Sequence, residues 1–180
     1  EDAEIYLADR ESRGFNAIWV AAVDNLEQSN PPRNFYKEVP FDGADFTNEN
    51  PAYWSRVDHL IKRAAAHGIV ILLSPAFVGY DSLSGYLTSY KETSHAVLRA
   101  YGKFLGSRYK NDPNIIWVLG GDADPATLVY PKLVDLAEGI KSEDHSHLMT
   151  FEACRYSKGE AVTGGGDSSL DVWPKPPIWL

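Results

Sequence analysis

Ile115-Ile116-Trp117-Val118-Leu119-Gly120-Gly121-Asp122-Ala123-Asp124-Pro125 is the stretch around which this chain is organised. Five apolar residues run without polar alternation, and the first two are β-branched. Such a run reads as a strand buried on both faces, as in a parallel sheet. The two glycines that follow allow a sharp turn or a close backbone approach. Asp122 then stands at the carboxyl end of the strand, where α/β folds bind ligands and gather catalytic groups. The competing structural reading makes Asp122 a helix cap or a turn residue.

The same pattern repeats on both sides of this stretch. Residues 2–13 are rich in helix formers and end at Gly14, a helix C-cap. Phe15 to Val23 then reads as a strand. Residues 52–67 place Trp54, Val57, Leu60, Ile61, Ala64 and Ala65 on one helical face. Gly68 ends that helix, and Ile69-Val70-Ile71-Leu72-Leu73 is a second continuous apolar strand, closed by Ser74-Pro75. The junctions Arg13-Gly14-Phe15 and His67-Gly68-Ile69 match, and His67 suits the negative end of its helix dipole. A helix over 94–109, with Val97, Ala100, Tyr101, Phe104 and Leu105 on one stripe, leads into the central strand. Beyond it come a helix over 127–142, burying Val129, Leu133, Leu136, Ala137 and Ile140, and a strand over 147–152. Two long segments, 24–52 and 75–93, follow the first two strands. Loops of that length are uncommon and often functional, the bland alternative being a surface excursion.

Strands alternating with helices imply a parallel sheet with right-handed crossovers. A doubly wound sheet and a (β/α)8 barrel both satisfy that pattern. No G-x-G-x-x-G or Walker-type loop joins a strand to a helix, and Gly164-Gly165-Gly166 lacks that setting. Long loops at the carboxyl ends of strands and short returns favour a barrel with its site built from βα loops. Four helices and four strands fall short of eight units. The expectation is therefore α/β, a partial TIM barrel of about four consecutive βα units with strands in sequential order. Residues 1–180 would be a single domain running from the first helix to the start of a sixth strand near Trp179-Leu180.

Composition narrows the partners. Lys and Arg number 17 against 25 Asp and Glu, a net charge of −8, which argues against nucleic acid. No apolar run reaches the roughly 20 residues of a membrane span, and no signal peptide opens the chain. Cys154 is the only cysteine, so no internal disulfide forms. The histidines (59, 67, 95, 145 and 147) lie on helices or at a helix–strand turn, so neither a metal nor another cofactor is expected. His145-Ser146-His147 falls at the amino end of its strand, the stability face of a barrel.

Several strings resemble a known family. They are Arg13-Gly14-Phe15-Asn16, Tyr53-Trp54, Ala66-His67-Gly68-Ile69, Tyr101-Gly102-Lys103-Phe104-Leu105 with Arg108-Tyr109, and above all Ile116-Trp117-Val118-Leu119-Gly120-Gly121-Asp122. Together they resemble the apiosidase-like glycoside hydrolases, a branch of the cellulase-type barrel clan. The resemblance implies hydrolysis of an O-glycosidic bond in a polysaccharide, with retention, in a secreted or periplasmic protein. It makes Asp122, at the end of the fourth barrel strand, the acid/base, and puts the nucleophile on a glutamate after the seventh strand, outside this chain. A retaining site needs two carboxyl groups about 5–5.5 Å apart across a cleft, the acid holding its proton near neutrality. Asp124 is near enough in sequence to supply repulsion that favours this, its alternative role being the cap of the next helix.

Glu152, at the end of the next strand, is an alternative partner for Asp122, although neighbouring strand ends do not face each other across a cleft. Asp24, Asn25 and Ser74 occupy the same rim as sugar contacts, each with an alternative role in satisfying loop backbone. Phe77, Tyr80 and Trp173 are stacking residues for sugar rings, whereas Trp19 and Trp117 read as core. The chain alone would be inactive for want of the nucleophile. One alternative is a non-catalytic carbohydrate-binding or self-associating half-barrel, a homo-oligomer through its open sheet edges. Another is a complete small doubly wound α/β protein, which requires a switch point in strand order.

Overall fold

The computed structural model describes residues 2–25, 30–79, 85–122 and 129–152. Helix α1 (Asp2–Ser12) leads into strand β1 (Ala17–Ala21), and α2 (Pro51–Ala66) into β2 (Val70–Ser74). A short α3 (Leu87–Glu92) precedes α4 (His95–Tyr109) and β3 (Ile115–Gly120). Then α5 (Tyr130–Lys141) leads to β4 (Met149–Glu152). The four strands are parallel and lie in the order β1-β2-β3-β4. Among the described residues the sequential order has no switch point, against the doubly wound alternative. Gly14 and Gly68 hold φ of +79° and +66° at the two matching helix–strand junctions, a left-handed geometry that favours glycine.

The two faces of the sheet differ. Ile71, Leu73, Ile115, Trp117, Leu119, Met149 and Phe151 are buried. Rings carried by helices pack there, Tyr109 against Trp117 and Tyr130 against Phe151. On the opposite face Trp19, Leu72 and Ile116 align in register, and Trp19 is 49% exposed. The expectation that Trp19 is core is therefore corrected. The nine residues from Phe15 to Val23 are apolar except for Asn16, so their alternation does not reveal which parity meets the helices.

The segment after β1 is not a bare surface excursion. It closes on itself through a Phe41–Glu49 bridge and sends Phe41 and Phe46 into the core. There Phe46 lies 4.9 Å from Tyr90 and 5.2 Å from Tyr101 between ring centroids, and Phe41 lies 5.4 Å from Tyr101. The Tyr53-Trp54 pair opening α2 is buried, with both polar tips satisfied by loop carbonyls. Tyr53 Oη donates to Ala22 O at 2.9 Å, and Trp54 Nε1 donates to Pro40 O at 3.0 Å. Asn50 caps α2, its side chain accepting from Ala52 N, and Pro51 takes the first turn.

The buried stripe of α4 departs from the hydrophobic reading. Ala100 is exposed, while Leu98, Tyr101, Gly102, Leu105, Gly106 and Tyr109 are buried. The two glycines let α5 approach closely. A Cβ on Gly102 would lie 2.2 Å from Leu136 O, one on Gly106 2.3 Å from Ile140 O, and one on Gly139 2.2 Å from Arg99 O. Helix propensity alone makes Gly102→Ala stabilising by about 0.5–1 kcal/mol. Backbone overlap opposes it, and overpacking costs about 1–3 kcal/mol. We expect a net loss, read as a lower urea midpoint, and an unchanged or higher midpoint would contradict this helix contact.

Ion pairs complete the helical layer. Arg63 makes a two-pronged contact with Glu4, and His67 bridges Glu4 and Glu11, joining α2 to α1. Hydrogen bonds from Glu11 and then Glu4 raise the His67 pKa above the ordinary histidine value. The structural role read for His67 thus acquires named partners. Arg108 holds Asp58 through two bonds of 2.7–2.8 Å, joining α4 to α2.

Candidate active site

Asp122 follows β3 with φ of +51°, a left-handed conformation that Asp tolerates better than most residues, and is half-buried. Two glycines make this exit possible. Gly120 has φ of +90°, and a Cβ there would meet Glu152 O at 2.3 Å. Gly121 has φ of +112°, and a Cβ there would sit 2.4 Å from the Phe77 ring. The Gly-Gly-Asp string is thus a packing requirement: one glycine admits the end of β4, the next admits Phe77.

Backbone hydrogen bonds tie the strand ends together. Val78 N donates to Gly120 O at 3.1 Å, and Gly121 N donates to Glu152 O at 3.3 Å. Tyr86 N donates to Phe77 O at 2.9 Å. Asn25 Nδ2 donates to Gly85 O at 2.6 Å, reaching from the end of β1 to the same loop. Exits from all four strands therefore support one another at the carboxyl rim, the position of ligand sites in such sheets.

The structure gathers some of the residues read from the sequence and separates others. Phe77 lies against Gly121 and meets Trp19 edge-on, 6.0 Å between centroids, so it flanks the backbone that carries Asp122. Glu152 shares this rim: it pairs in register with Gly120. Burial first, and then the negative charge of Asp122, push its carboxyl above the ordinary glutamate value. Its Oε2 is buried without a hydrogen-bond partner among the described residues. Asn25 serves loop structure through its amide nitrogen, while its Oδ1 is buried and unpartnered among the described residues. Asp24 is half-buried beside it. Ser74 is 1% exposed and its carbonyl accepts from Ala22 N at 2.8 Å, so its placement serves the β1–β2 junction. Tyr80, Asp124 and Trp173 lie outside the described residues.

The sequence reading puts Gly85 and Tyr86 in the long loop over 75–93 and gives them no role at the site. Gly85 holds φ of +105° in close contact with Phe77 and Val78 carbonyls, and Tyr86 is buried. A glycine followed by an aromatic inside a long loop is the available signal, and it does not say what the pair packs on. Among the described residues no group of three or more His, Cys, Asp or Glu is placed to hold a metal ion, and no helix is long and apolar enough to cross a membrane.

Comparison with known proteins agrees with this geometry. The model of the apiosidase-like catalytic domain matches residues 1–173. The chain is 23% identical over 187 residues to a probable mannan endo-1,4-beta-mannosidase A of Aspergillus flavus, covering 94% of this chain and 47% of that protein. Among solved structures, a glycoside hydrolase superposes with a TM-score of 0.69 at 35% identity, over 85% of this chain and 33% of the other. A family 5 glycoside hydrolase from Bacteroides vulgatus gives 0.70 at 31% identity, over 85% and 32%. Endoglucanase Cel5A of Thermotoga maritima, solved with mannotriose, gives 0.63 at 17% identity over 98% of this chain and 50% of that one, a likeness of fold. This chain thus spans about half the length of the curated relatives it matches and a third to a half of these solved structures. Its sequential parallel strands are an arc of a (β/α)8 barrel, and the chain belongs to the apiosidase-like catalytic-domain family of glycoside hydrolases.

Proposed function

We propose that this chain forms part of a retaining glycosidase that cleaves O-glycosidic bonds in a complex polysaccharide, with Asp122 as the general acid/base. The observation that carries the reading is the placement of Asp122. It leaves the carboxyl end of β3 on a glycine pair whose absent side chains admit the Glu152 carbonyl and the Phe77 ring, so the residue before Asp122 packs on an aromatic ring at the rim. A glycosidic bond needs one carboxyl to protonate the leaving oxygen and another to attack or stabilise the anomeric carbon from the opposite side. Phe77 offers an apolar face of the kind that packs on sugar rings. The carboxylate facing Asp122 belongs, on this reading, to barrel strands outside these 180 residues. Residues 1–180 are one domain-forming arc of that barrel, in a protein exported to meet its polysaccharide. Mannans are the first substrates to try, given the probable mannanase among the relatives.

The test, made on the barrel completed with the strands that carry the facing carboxylate, is release of reducing ends from plant polysaccharides, followed by proton NMR of the first product. An initial anomer matching the substrate supports retention. The opposite anomer rules it out, and no release from any polysaccharide tested counts against the hydrolase reading.

A second reading, a non-catalytic carbohydrate-binding or self-associating domain, draws on the half-exposed row of Trp19, Leu72 and Ile116. It predicts that the 180-residue chain sediments as a dimer or larger species. A clean monomer with a cooperative melt would remove it.

A further inference from the structure

We propose that Phe35 and Tyr36, at the tip of the segment that follows β1, form a stacking platform for a sugar chain, a second binding site on the wall of the barrel. The inference rests on the reading of the protein as a polysaccharide hydrolase. Phe35 is 88% exposed and Tyr36 56%. Their rings meet edge-on, with centroids 5.4 Å apart. A single exposed aromatic needs no explanation. Here two adjacent rings stand out of a tip that is itself built. Asn34 Oδ1 accepts the Tyr36 and Glu38 N–H groups, both at 3.0 Å, and Asn34 Nδ2 donates to Glu38 Oε2 at 2.8 Å. Asn34 N donates to Glu38 O at 3.0 Å, and Arg33 Nη1 to Lys37 O at 2.9 Å. The Arg56 guanidinium lies over the Tyr36 ring, 4.0 Å from its centroid, and pairs with Glu38 at 3.4 Å. Both arginines are thus occupied in holding the tip, and the rings are what it offers. Rings fixed in this way lose little freedom when a ligand packs on them.

The position of the tip follows from its anchors. Pro40 O accepts Asn50 N and Trp54 Nε1, both at 3.0 Å, which pins the base of the segment to the first turn of α2. That end of α2 lies at the carboxyl rim, because the helix runs back from there to β2. Arg56 is the sixth residue of α2, about 8 Å along it, so the contact with Tyr36 falls in the rim-side half. Both helix neighbours of α2 belong to this chain: α1 through Arg63 and Glu4, α4 through Arg108 and Asp58. The rings therefore stand away from the open edges of the arc, where further strands would join. Size selects the occupant. A fully covered aromatic ring buries about 150–250 Å², so the pair falls short of the roughly 800 Å² per partner of a stable protein interface. One or two sugar units fit it, with their apolar C–H faces on the rings and their hydroxyls in water. For a polymer also held at the rim, such a second contact raises affinity through effective concentration.

The experiment is affinity electrophoresis of the 180-residue chain through gels holding soluble galactomannan, xyloglucan or arabinan, for the parent, F35A, F35W and L148A. This chain carries the whole tip and, on the reading above, lacks the carboxylate needed to cut the polymer. At least one polymer should retard the parent, and F35A should weaken that binding roughly three- to tenfold, the size of one aromatic contact. F35W keeps an aromatic face and should restore it. Leu148, 69% exposed just before β4, is the control, and L148A should run like the parent. The melting temperature of each variant should match the parent's. A parent that no polymer retards, or an F35A that matches it, overturns the platform. So does an equal loss in L148A, which would mark general apolar adhesion, or a dimer that F35A dissolves, which would mark the rings as a self-contact. Weakened binding by F35A with no sugar released by the completed barrel overturns the hydrolase reading and leaves the platform standing. Cleavage by the completed barrel with F35A binding unchanged overturns the platform alone.

Discussion

On the role proposed for Asp122, replacing it with Asn in the completed barrel is expected to lower kcat/KM on an unactivated glycoside by roughly 10²–10⁴-fold, the usual contribution of a general acid. The loss should be much smaller for aryl glycosides whose leaving group departs without a proton. In a retaining reaction it should then reappear at the second step, where the same carboxyl activates water. D122N would therefore show a burst of released aryl alcohol followed by slow turnover. Small nucleophiles such as azide, which need no general base, should restore the slow phase. The substitution is nearly isosteric and suits φ of +51°, so the melting temperature should hardly change. Equal activity of mutant and parent on a natural polysaccharide would remove Asp122 from the acid/base role. A fall in activity accompanied by unfolding would show that the turn depends on its charge.

The sequence disclosed the fold wherever local physics and tertiary structure agree. Ile115–Gly120 and Val70–Ser74 are continuous apolar runs that belong in a sheet, and Gly14 and Gly68 mark the points where helices turn into strands with positive φ. Contacts carried by small or scattered residues were not visible. The α4–α5 interface is built on Gly102, Gly106 and Gly139, which carry no hydrophobic signal, so the stripe was misplaced toward Ala100. Six-residue α3 is too short for periodicity to announce. Phe41 and Phe46 look like loop aromatics until the chain folds them under α4.

The site was legible to a similar depth. The position of Asp122 just past β3 could be read because a strand end is something the chain specifies locally. Its setting could not, because it depends on residues distant in sequence. Phe77 reaches Gly121 from the loop after β2, and Glu152 reaches Gly120 from β4. The residues conceived as sugar contacts divide accordingly. Phe77 lies beside the exit of β3, whereas the Asn25 amide and Ser74 are occupied in holding the rim together.

At the opposite end of the sheet, Asp144→Ala is expected to destabilise the protein by about 1–3 kcal/mol for each buried donor it leaves without an acceptor. Asp144 is fully buried behind β3. Its Oδ2 accepts from Trp117 Nε1 at 2.7 Å and lies 2.7 Å from His147 Nδ1. Its Oδ1 accepts the backbone N–H groups of Ser146 and His147 at 3.1 Å. His147 Nε2 in turn lies 2.7 Å from Asp112 O, so this network joins α5, β4 and the turn before β3. Burial alone would raise the Asp144 pKa. The hydrogen bonds from Trp117 and His147 outweigh it and bring the pKa down to about 2. A carboxyl depressed in the folded state contributes stability that is complete above its unfolded value, near 3.9, and lost as pH falls through the folded value. The difference corresponds to about 2 kcal/mol. Denaturation midpoints of parent and D144N should therefore be furthest apart at pH 5 and converge by that amount between pH 4 and 2. A gap that stays constant across that window would show that the charge of Asp144 is not what the network stabilises. Because the network lies at the amino end of the strands, remote from Asp122, stability should be lost here without altering the pH profile of cleavage in the protein that remains folded.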